Sequence, residues 1–433
     1  MRKQKSFQVA DIPSFKSQLL EWGDQFNEAI WLESNAHEDK YGSFDAILAV
    51  DALTAVQTDV TDAFENLNEY QQGTKDWIFG YLTYDLKNTI EDLRSNNEDS
   101  LGFPELYFFQ PKKIIKIKGD QVDFLYLNMV ETDIDEDFNT ISQTEHDHSS
   151  GSTIKSDIRI KMRIFKDEYF RCVSDMLAHI HRGDIYEANF CQEFYAEDTT
   201  ISPLRTYQRL NEISEAPFAT YLKLNDKYLL SASPERYLRK KGDTIISQPI
   251  KGTAQRSMDP KEDQMHKIAL SNDQKERAEN IMIVDLVRND LSKSALKGSV
   301  RLEELCKVHT YRQVHQLVST ISAKVATNKN PLEILKETFP MGSMTGAPKV
   351  SAMQIIEKLE AFKRGLYSGA VGYFTPENDF DFNVIIRSIL YNKSKKYVSY
   401  AVGSAITAKA SPVKEYEECL LKAKAMREVL ENT

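Results

Sequence analysis

The part of the chain that best predicts the fold class is residues 220–250, which read TYLKLNDKYLLSASPERYLRKKGDTIISQPI. Two turns interrupt this stretch, Asn225-Asp226 and Gly242-Asp243, and each lies between runs rich in β-branched and aromatic residues. Short polar turns in such a setting favour antiparallel hairpins. We therefore predict one hairpin from strands at 220–224 and 227–232, and a second from strands at 236–240 and 244–250.

The same pattern recurs outside this stretch, together with helical periodicity. Further hairpins are predicted from the pairs 113–118 with 121–127 and 379–391 with 397–406. Apolar residues at helical spacing predict helices at 173–183, 274–291, 349–359 and 413–430. Hairpins interleaved with helices indicate an α+β fold with large antiparallel sheets. The glycine motifs of doubly wound nucleotide folds, GxGxxG and the P-loop, do not occur.

Composition excludes several classes of protein. Of the 433 residues, 41% are hydrophobic and 28% are charged, so the chain can form a core and is not disordered overall. The formal charge of -10 argues against nucleic acid or an anionic membrane as the main partner. The four cysteines lack CxxC spacing, and no apolar run reaches the 18 or so residues that span a bilayer. Without a signal-peptide core, a cytoplasmic location is expected.

One acidic stretch predicts a boundary between two regions. Residues 131–154 contain seven acidic residues and no Lys or Arg, which is typical of an exposed linker. We predict an N-terminal region at 1–135, a linker at 136–157 and a C-terminal region at 158–433. His146 and His148 lie in this linker, where a solvated loop is the commoner interpretation and metal binding the alternative.

Two predicted helices each carry a pair of glutamates three residues apart, Glu276 with Glu279 and Glu415 with Glu418. Spacing of three places both carboxylates on one face of a helix. If the two faces met, their oxygen atoms would suit Mg²⁺, which prefers carboxylates, water and an anionic substrate. Such pairs are also common on solvated helix surfaces, so spacing alone leaves both interpretations open.

Lys251 and Glu235 are candidates for covalent and acid–base chemistry. Lys251 follows an isoleucine-rich strand, where a solvated lysine is the ordinary case and a nucleophilic amine the alternative. Because the ordinary pKa of a lysine is near 10.4, a neutral amine at pH 7 costs about 4.6 kcal/mol, so burial or a nearby cation would have to lower the pKa. Glu235 would serve as a general acid if its pKa were raised, and otherwise forms an ion pair with Arg236. The segment 339–349, FPMGSMTGAPK, is a glycine-bearing loop before a helix, with Ser343 and Thr345 as possible caps.

Taken in order, these segments resemble the chorismate-utilising enzymes, which include anthranilate synthase component I, aminodeoxychorismate synthase component I and the isochorismate and salicylate synthases. The matching segments are GDIYE at 183–187, SASPER at 231–236, PIKGT at 249–253, KERAE at 275–279, VDLVRND at 284–290, 342–349, 367–373, IIRS at 385–388 and 411–422. They cover nearly all of residues 158–430. The N-terminal region resembles the family more weakly, through WLES at 31–34 and GYLTY at 80–84.

The resemblance implies a fold like that of anthranilate synthase component I, with antiparallel sheets packed as a sandwich and helices outside. It also implies Mg²⁺ as cofactor, with Glu279 and Glu418 as direct ligands and Glu276 and Glu415 beside them. The site residues carried over are Tyr367 and Arg387 for the enolpyruvyl carboxylate, Gly252, Thr253, Gly403 and Lys422 for the ring pocket, Glu235 as general acid, and Ser34 for a possible tryptophan site. The motif Leu32-Glu-Ser34 resembles the tryptophan-binding strand of anthranilate synthases, and three interpretations stay open for this chain: it holds a structural tryptophan, it binds nothing, or it only packs.

Within the family, Lys251 favours the reaction of aminodeoxychorismate synthase component I, since typical anthranilate synthases have alanine there. The implied product is 4-amino-4-deoxychorismate, used for p-aminobenzoate and folate, and Lys251 would form a covalent intermediate. Three positions depart from the pattern. Glu187 stands where amine-adding members usually have glutamine, Gln316 where the family has a histidine, and Ala405 where many members have a glycine.

The expected partners are chorismate and a separate glutamine amidotransferase subunit that supplies ammonia, because none of the cysteines lies in a nucleophile-elbow turn. Neither a nucleic acid nor a membrane is expected as a partner. The rival interpretations are anthranilate synthase component I and, more distantly, a non-catalytic protein of the same fold that only binds a partner.

Overall fold

The computed structural model describes residues 1–35, 37, 39–144, 158–312 and 314–431. Its strands are β1 (Arg2–Gln8), β2 (Glu28–Glu33), β3 (Ala46–Thr58), β4 (Ile78–Leu82), β5 (Leu106–Lys118), β6 (Gln121–Leu127), β7 (Lys161–Met162), β8 (Glu187–Ala196), β9 (Phe218–Leu224), β10 (Lys227–Ser233), β11 (Arg236–Lys241), β12 (Thr244–Gln248), β13 (Ile250–Gln255), β14 (Arg301–Thr310), β15 (Val314–Lys324), β16 (Gly346–Ala347), β17 (Ala370–Phe374), β18 (Phe380–Val384), β19 (Ser388–Asn392) and β20 (Tyr397–Thr407).

The helices within the same residues are α1 (Ile12–Gly23), α2 (Ala63–Thr74), α3 (Lys87–Ile90), α4 (Ile134–Gln143), α5 (Lys166–Arg182), α6 (Pro203–Ser214), α7 (Pro260–Asn272), α8 (Gln274–Ser294), α9 (Pro331–Thr338), α10 (Lys349–Leu359) and α11 (Pro412–Glu431). In the described part of the chain, no helix has the length and apolar character needed to cross a membrane.

All strand pairs are antiparallel, and the strands form two connected sheets. One sheet runs in the order β1-β6-β5-β3-β2-β9-β10-β19-β20-β8, with the short β7 and β16 on the far side of β8. The other runs β5-β4-β17-β18-β11-β12-β15, and both β13 and β14 pair with β15. Strand β5 connects them, because its first half pairs with β4 and its second half with β6.

The side-chain alternation of the strands produces two apolar layers. On β9, Tyr221 belongs to one buried cluster and Leu222 to the other. The first cluster also contains side chains of α1, α5, α6, α10 and α11, which cover the outer face of the first sheet. The second cluster joins side chains of both sheets: Ile47, Phe79, Leu222, Ile321, Phe382 and Leu390. The expected α+β fold with sandwiched antiparallel sheets and outer helices is confirmed.

The local predictions agree closely with this architecture. Both hairpins of residues 220–250 form, as β9–β10 and β11–β12, and so does the pair β5–β6. The predicted helices correspond to α5, α8, α10 and α11, and Gly183 closes α5 with a left-handed φ of 88°. The predicted strand at 379–391 instead consists of two strands, β18 and β19, because residues 385–387 between them are not in a strand.

The region around the predicted linker differs in part. Residues 134–143 form α4, with Ile134 and Ile141 buried, although the linker is predicted to start at 136. The spacing of seven places both isoleucines on one helical face, which explains why an acidic segment can pack. His146 and His148 lie outside the described residues. The boundaries at 135 and 158 stay a prediction. Strands β2 and β4 of the first region pair with β9 and β17 of the second, so the two regions share their sheets.

Candidate active site

A cleft opens where β13, β20, α8, α11 and the segment before β16 meet. Its empty volume, including the open mouth, is about 790 Å³. The predicted site residues on its wall are Glu235, Lys251, Gly252, Thr253, Glu276, Glu279, Tyr367, Arg387, Gly403, Glu418 and Lys422. The fold therefore brings together eleven of the thirteen predicted site residues; Glu415 lies behind the wall, and Ser34 lies in a separate cavity.

The glutamates of α8 and α11 face each other across this cleft. Burial raises the pKa of Glu279 to about 7, although the positive charges of Lys251 and Lys275 oppose the shift. The Lys422 ammonium, 2.6 Å from Glu418, holds the pKa of that carboxyl below its usual value. Glu415 is buried and accepts a hydrogen bond from Ser404.

The chemistry of these donors fits a hard cation. The Lys275 ammonium lies 3.6 Å from Oε1 of Glu279 and 3.5 Å from Oε1 of Glu415, so positive charge already bridges the two helices. Carboxylate oxygens are the ligands that Mg²⁺ prefers. Among the described residues, no group of three His, Cys, Asp or Glu side chains is arranged to hold a metal. A magnesium ion here would therefore need water and substrate oxygens to complete its shell.

Lys251 lies on the floor of the cleft and forms an ion pair with Glu187, the residue that stands where amine-adding family members usually have glutamine. Its Nζ is 3.1 Å from Oε1 of Glu187, and the two side chains are 13% and 1% exposed. Burial alone would lower the pKa of Lys251, but the negative charges of Glu187 and Glu279 outweigh burial and raise it. A nucleophilic Lys251 would require a lowered pKa, and the surroundings of Lys251 shift it in the opposite direction, towards the ammonium form.

Glu235 has the environment of a general acid. It is buried, and Ser343 Oγ donates a hydrogen bond of 2.6 Å to its Oε1. Burial raises the pKa of Glu235 to about 7, against the opposing effects of Ser343 and the Lys251 charge. A carboxyl group that titrates near neutral pH can hold a proton and release it to a leaving group. The alternative ion pair with Arg236 is not formed, because that arginine binds Asp39 and Asp381 instead.

Arg387 is a partly buried cation that has no acidic partner among the described residues. It follows the break between β18 and β19, has a left-handed φ of 54°, and donates a 3.4 Å hydrogen bond to the carbonyl oxygen of Lys422. In the described part of the chain no carboxylate lies within ion-pair distance of it, and burial lowers its pKa. Tyr367 is buried beside it on the same wall. An anionic ligand would satisfy this arginine, in keeping with a carboxylate-binding role.

The remaining pocket residues shape the wall. Gly252 has a φ of 97°, and a Cβ there would lie only 3.0–3.2 Å from Leu317 and Glu276, so a side chain would strain the backbone and crowd the carboxylate. Lys422 Nζ donates a 2.8 Å hydrogen bond to the carbonyl oxygen of Gly403. Gln316 Nε2 donates a long 3.5 Å hydrogen bond to Thr253, while its buried Oε1 has no hydrogen-bond partner in the part of the chain that the structure describes.

Strand alternation places Gln316, and not the neighbouring His315, in the cleft. Gln316 points into the cleft, whereas its neighbour His315 points to the opposite face, where it contacts Asp263 and Thr310. The histidine one residue early therefore does not replace the family's histidine in the site. Ala405, where many family members have a glycine, also lines the cleft.

Two further lining residues, Ser343 and Asn189, were not predicted to act in the site. Ser343 and Thr345 are not helix caps, because α10 starts at Lys349 after Pro348 and neither hydroxyl reaches its first turn. Asn189 follows Glu187 by two residues on β8, so strand alternation was the signal that would have found it.

Ser34 lies in a second cavity with an empty volume of about 480 Å³, next to the paired Arg236. Its amide and its hydroxyl both donate to the carbonyl oxygen of Asp45. A role for Ser34 in tryptophan binding stays a prediction.

Comparison with known proteins identifies the family of the chain. A family model described as chorismate binding enzyme matches residues 27–428. An aminodeoxychorismate synthase of Streptomyces griseus is 40% identical over 274 residues, which are 63% of this chain and 37% of that protein. The chain thus spans little more than a third of that relative's length. Anthranilate synthase component 1 of Thermus thermophilus is 33% identical over 360 residues, 82% of this chain and 77% of that protein.

Solved structures show the same fold. Anthranilate synthase component I of Streptococcus pneumoniae superposes with a TM-score of 0.78 at 23% identity and covers 90% of this chain and 94% of its own. MenF, the menaquinone-specific isochorismate synthase of Escherichia coli, has a TM-score of 0.78 at 17% identity and covers 99% and 94%. With the family model matching nearly the whole chain, this protein belongs to the chorismate binding enzymes.

Proposed function

We propose that the protein acts as an aminodeoxychorismate synthase component I, which converts chorismate and ammonia to 4-amino-4-deoxychorismate for p-aminobenzoate and folate synthesis. The observation that carries this proposal is the position of Lys251 on the cleft floor, within the same cavity as the buried carboxyl of Glu235. Similarity to relatives named aminodeoxychorismate synthase, at 38% to 40% identity, supports it.

In the proposed reaction, chorismate binds with its enolpyruvyl carboxylate on the unpaired Arg387 and the hydroxyl of Tyr367. Lys422 and the residues around Gly252 hold the ring. Mg²⁺, held by the glutamates of α8 and α11, would neutralise the ring carboxylate when bound.

Two allylic displacements then transfer nitrogen to the ring. The neutral amine of Lys251 forms a bond to ring carbon 2, the double bond shifts, and the carbon 4–oxygen bond breaks as Glu235 donates its proton, so that water leaves. Ammonia next bonds to carbon 4, the double bond shifts back, and the bond between carbon 2 and Lys251 breaks. The ammonium formed at carbon 4 returns a proton to Glu235. The atoms balance as chorismate plus ammonia giving aminodeoxychorismate plus water.

Product analysis tests this function directly. Purified protein is incubated with chorismate, Mg²⁺ and ammonium at high pH, with a lyase that releases p-aminobenzoate from aminodeoxychorismate. We expect p-aminobenzoate as the main aromatic product. Anthranilate as the main product, formed without the lyase, would overturn the proposal.

Anthranilate synthase component I is the second candidate, because the Thermus relative of that name matches over a larger share of both chains. It requires ammonia to attack carbon 2 directly, which leaves no task for Lys251. A non-catalytic binding protein is disfavoured by the acid, lysine and carboxylates in one cleft.

The same assay addresses the partner. With glutamine as the nitrogen source, we expect no product from the chain until a glutamine amidotransferase subunit is added. Glutaminase activity in the purified chain would contradict a separate ammonia source.

A further inference from the structure

The ion pair formed by Glu187 and Lys251 differs from the ion pair of Glu193 and Arg163 on the same strand. Glu187 is 1% exposed, and its Oε1 lies 3.1 Å from Lys251 Nζ. Its second oxygen, Oε2, is buried and has no hydrogen-bond partner among the described residues. Structural carboxylates are usually satisfied on both oxygens, as Glu193 is on the same strand by Arg163 and Tyr397. The free oxygen of Glu187 is therefore a vacant proton-accepting position beside the nucleophile.

The backbone holds Glu187 firmly in this position. It is the first residue of β8 and lies opposite Ala347 of β16 and Thr407 of β20. A Cβ at Gly346 would lie only 2.2 Å from the carbonyl oxygen of Glu187. The glycine-bearing loop thus packs directly against the Glu187 backbone, and only a glycine permits this contact. This gives the loop at 342–349 a task that the sequence pattern left open.

We propose that Glu187 is the positioning residue that holds Lys251 as an ammonium ion in the empty cleft and takes its proton when chorismate binds. The inference rests on the proposed function, since it needs Lys251 as nucleophile. The proton moves from Lys251 Nζ to the carboxylate of Glu187, which leaves a neutral amine and a neutral acid. The lone pair of the amine then bonds to carbon 2. When ammonia later expels Lys251, the departing amine takes the proton back from Glu187.

Substrate binding supplies the driving force. Lys251 is exposed to the cleft, so chorismate would cover the pair and remove the water that stabilises its charges. Two opposite charges lose more by desolvation than a neutral amine and acid do, which favours proton transfer within the pair. The charged groups that face Lys251 from other elements are Glu279 on α8, Glu418 on α11 and Glu235 before β11. Glu187 is the one within hydrogen-bond distance, so it is the natural proton acceptor.

The consequence is a distinct pH dependence. In the wild type the proton stays within the pair, so turnover does not require bulk deprotonation of Lys251. In Glu187→Gln the amide cannot accept a proton, and the amine must lose it to solvent. We expect turnover of Glu187→Gln to be roughly 100-fold lower than wild type at pH 7 and to rise about tenfold per pH unit until it approaches wild type at alkaline pH.

The experiment measures turnover from pH 6.5 to 10 for the wild type and Glu187→Gln. Glu193→Gln is the matched control, since it removes a buried, ion-paired carboxylate from the same strand away from the cleft, and we expect it to keep the wild-type profile. Should Glu187→Gln fail to fold, Glu187→Ala with added formate tests the same step, and rescue that saturates with formate is expected. A wild-type-shaped pH profile in Glu187→Gln, or no formate rescue in Glu187→Ala, would overturn the inference.

A second readout separates this inference from the function itself. Lys251 in the substrate-free protein is labelled with acetic anhydride at several pH values and quantified by peptide mass spectrometry. Loss of the Glu187 charge should make Lys251 react at lower pH in Glu187→Gln than in the wild type. If labelling shifts while Lys251→Ala still makes aminodeoxychorismate normally, the proposed covalent route fails and the ion pair stands. If labelling does not shift, the role of Glu187 fails whatever the product.

Discussion

Two arginines of this protein, Arg236 and Arg387, lie on different cavities and have opposite surroundings. Arg236, 1% exposed, is fully paired: its guanidinium contacts Asp39, Asp381 and Gln248 next to the Ser34 cavity. Arg387 faces the cleft and has no acidic partner among the described residues. A buried charge is stable when the protein compensates it, and an uncompensated one marks a place where a ligand does so. We therefore expect a structural role for Arg236 and a ligand-binding role for Arg387.

The strongest test of the cleft as a reaction site is Lys251→Ala. Removing the nucleophile should lower aminodeoxychorismate formation at least roughly 10⁴-fold, while Arg387 and the acid still bind and polarise chorismate. Direct attack of ammonia at carbon 2 should then yield 2-amino-2-deoxyisochorismate or anthranilate. Chromatography of the products measures both outcomes, with the exposed Lys241→Ala as control.

Trapping complements that variant. A chorismate analogue with a leaving group at carbon 6 should label Lys251 in the wild type, visible as a mass shift of its peptide. Aminodeoxychorismate formation at the wild-type rate by Lys251→Ala would rule out the covalent route.

The arginine comparison itself predicts opposite outcomes for the same substitution. Arg236→Met leaves the partly buried Asp39 without its ion-pair partner and Asp381 with only Arg239, 3.6 Å away, and should lower the free energy of unfolding by about 3–5 kcal/mol. Arg387→Met should leave that free energy within about 1 kcal/mol of wild type, because no ion pair is broken. It should instead raise the KM for chorismate roughly 100-fold.

Urea denaturation and steady-state kinetics measure these two quantities. An equal loss of unfolding free energy in both variants would show that Arg387 has a structural role and would contradict the predicted difference between the two arginines.

How far the sequence predicts this contrast depends on the range of the contacts. Hairpins and helices follow local patterns, so β9 to β12 and α10 are predicted almost residue by residue. The interruption between β18 and β19 that turns Arg387 into the cleft is not predicted, since a left-handed backbone at an arginine has no local sequence signal. The family resemblance identifies most of the residues that line the cleft, but it does not identify Glu187 as the ion-pair partner of Lys251. That contact joins strands 64 positions apart in the chain, from 187 to 251, and only the folded sheet brings them together.

The glutamates of the cleft provide a smaller test of its charge. Glu279→Gln and Glu418→Gln each remove one negative charge from the donor set while keeping its shape, and should lower Mg²⁺-dependent turnover roughly 10²-fold. Titration calorimetry should show weaker Mg²⁺ binding in both. Glu417→Gln, exposed on the other side of α11, serves as the matched control. Full turnover of the two cleft variants in the presence of a chelator would contradict the metal assignment.

The smallest expected effect is a change in how the free energy of unfolding depends on pH, caused by Glu235. The pKa of Glu235 is raised from about 4.5 to about 7 in the folded protein by burial. The folded state therefore binds the proton more tightly, so the stabilisation is complete below pH 4.5 and is lost as the pH rises through 7.

Glu235→Gln mimics the protonated form and lacks this loss. The unfolding free energy of the variant relative to wild type should thus increase by on the order of 1–3 kcal/mol between pH 4.5 and pH 8. Urea denaturation at both pH values measures it, with the exposed Glu377→Gln expected to follow wild type. A difference between variant and wild type that stays constant with pH would show that folding does not raise the pKa of Glu235, and a general acid would then have to be sought elsewhere in the cleft.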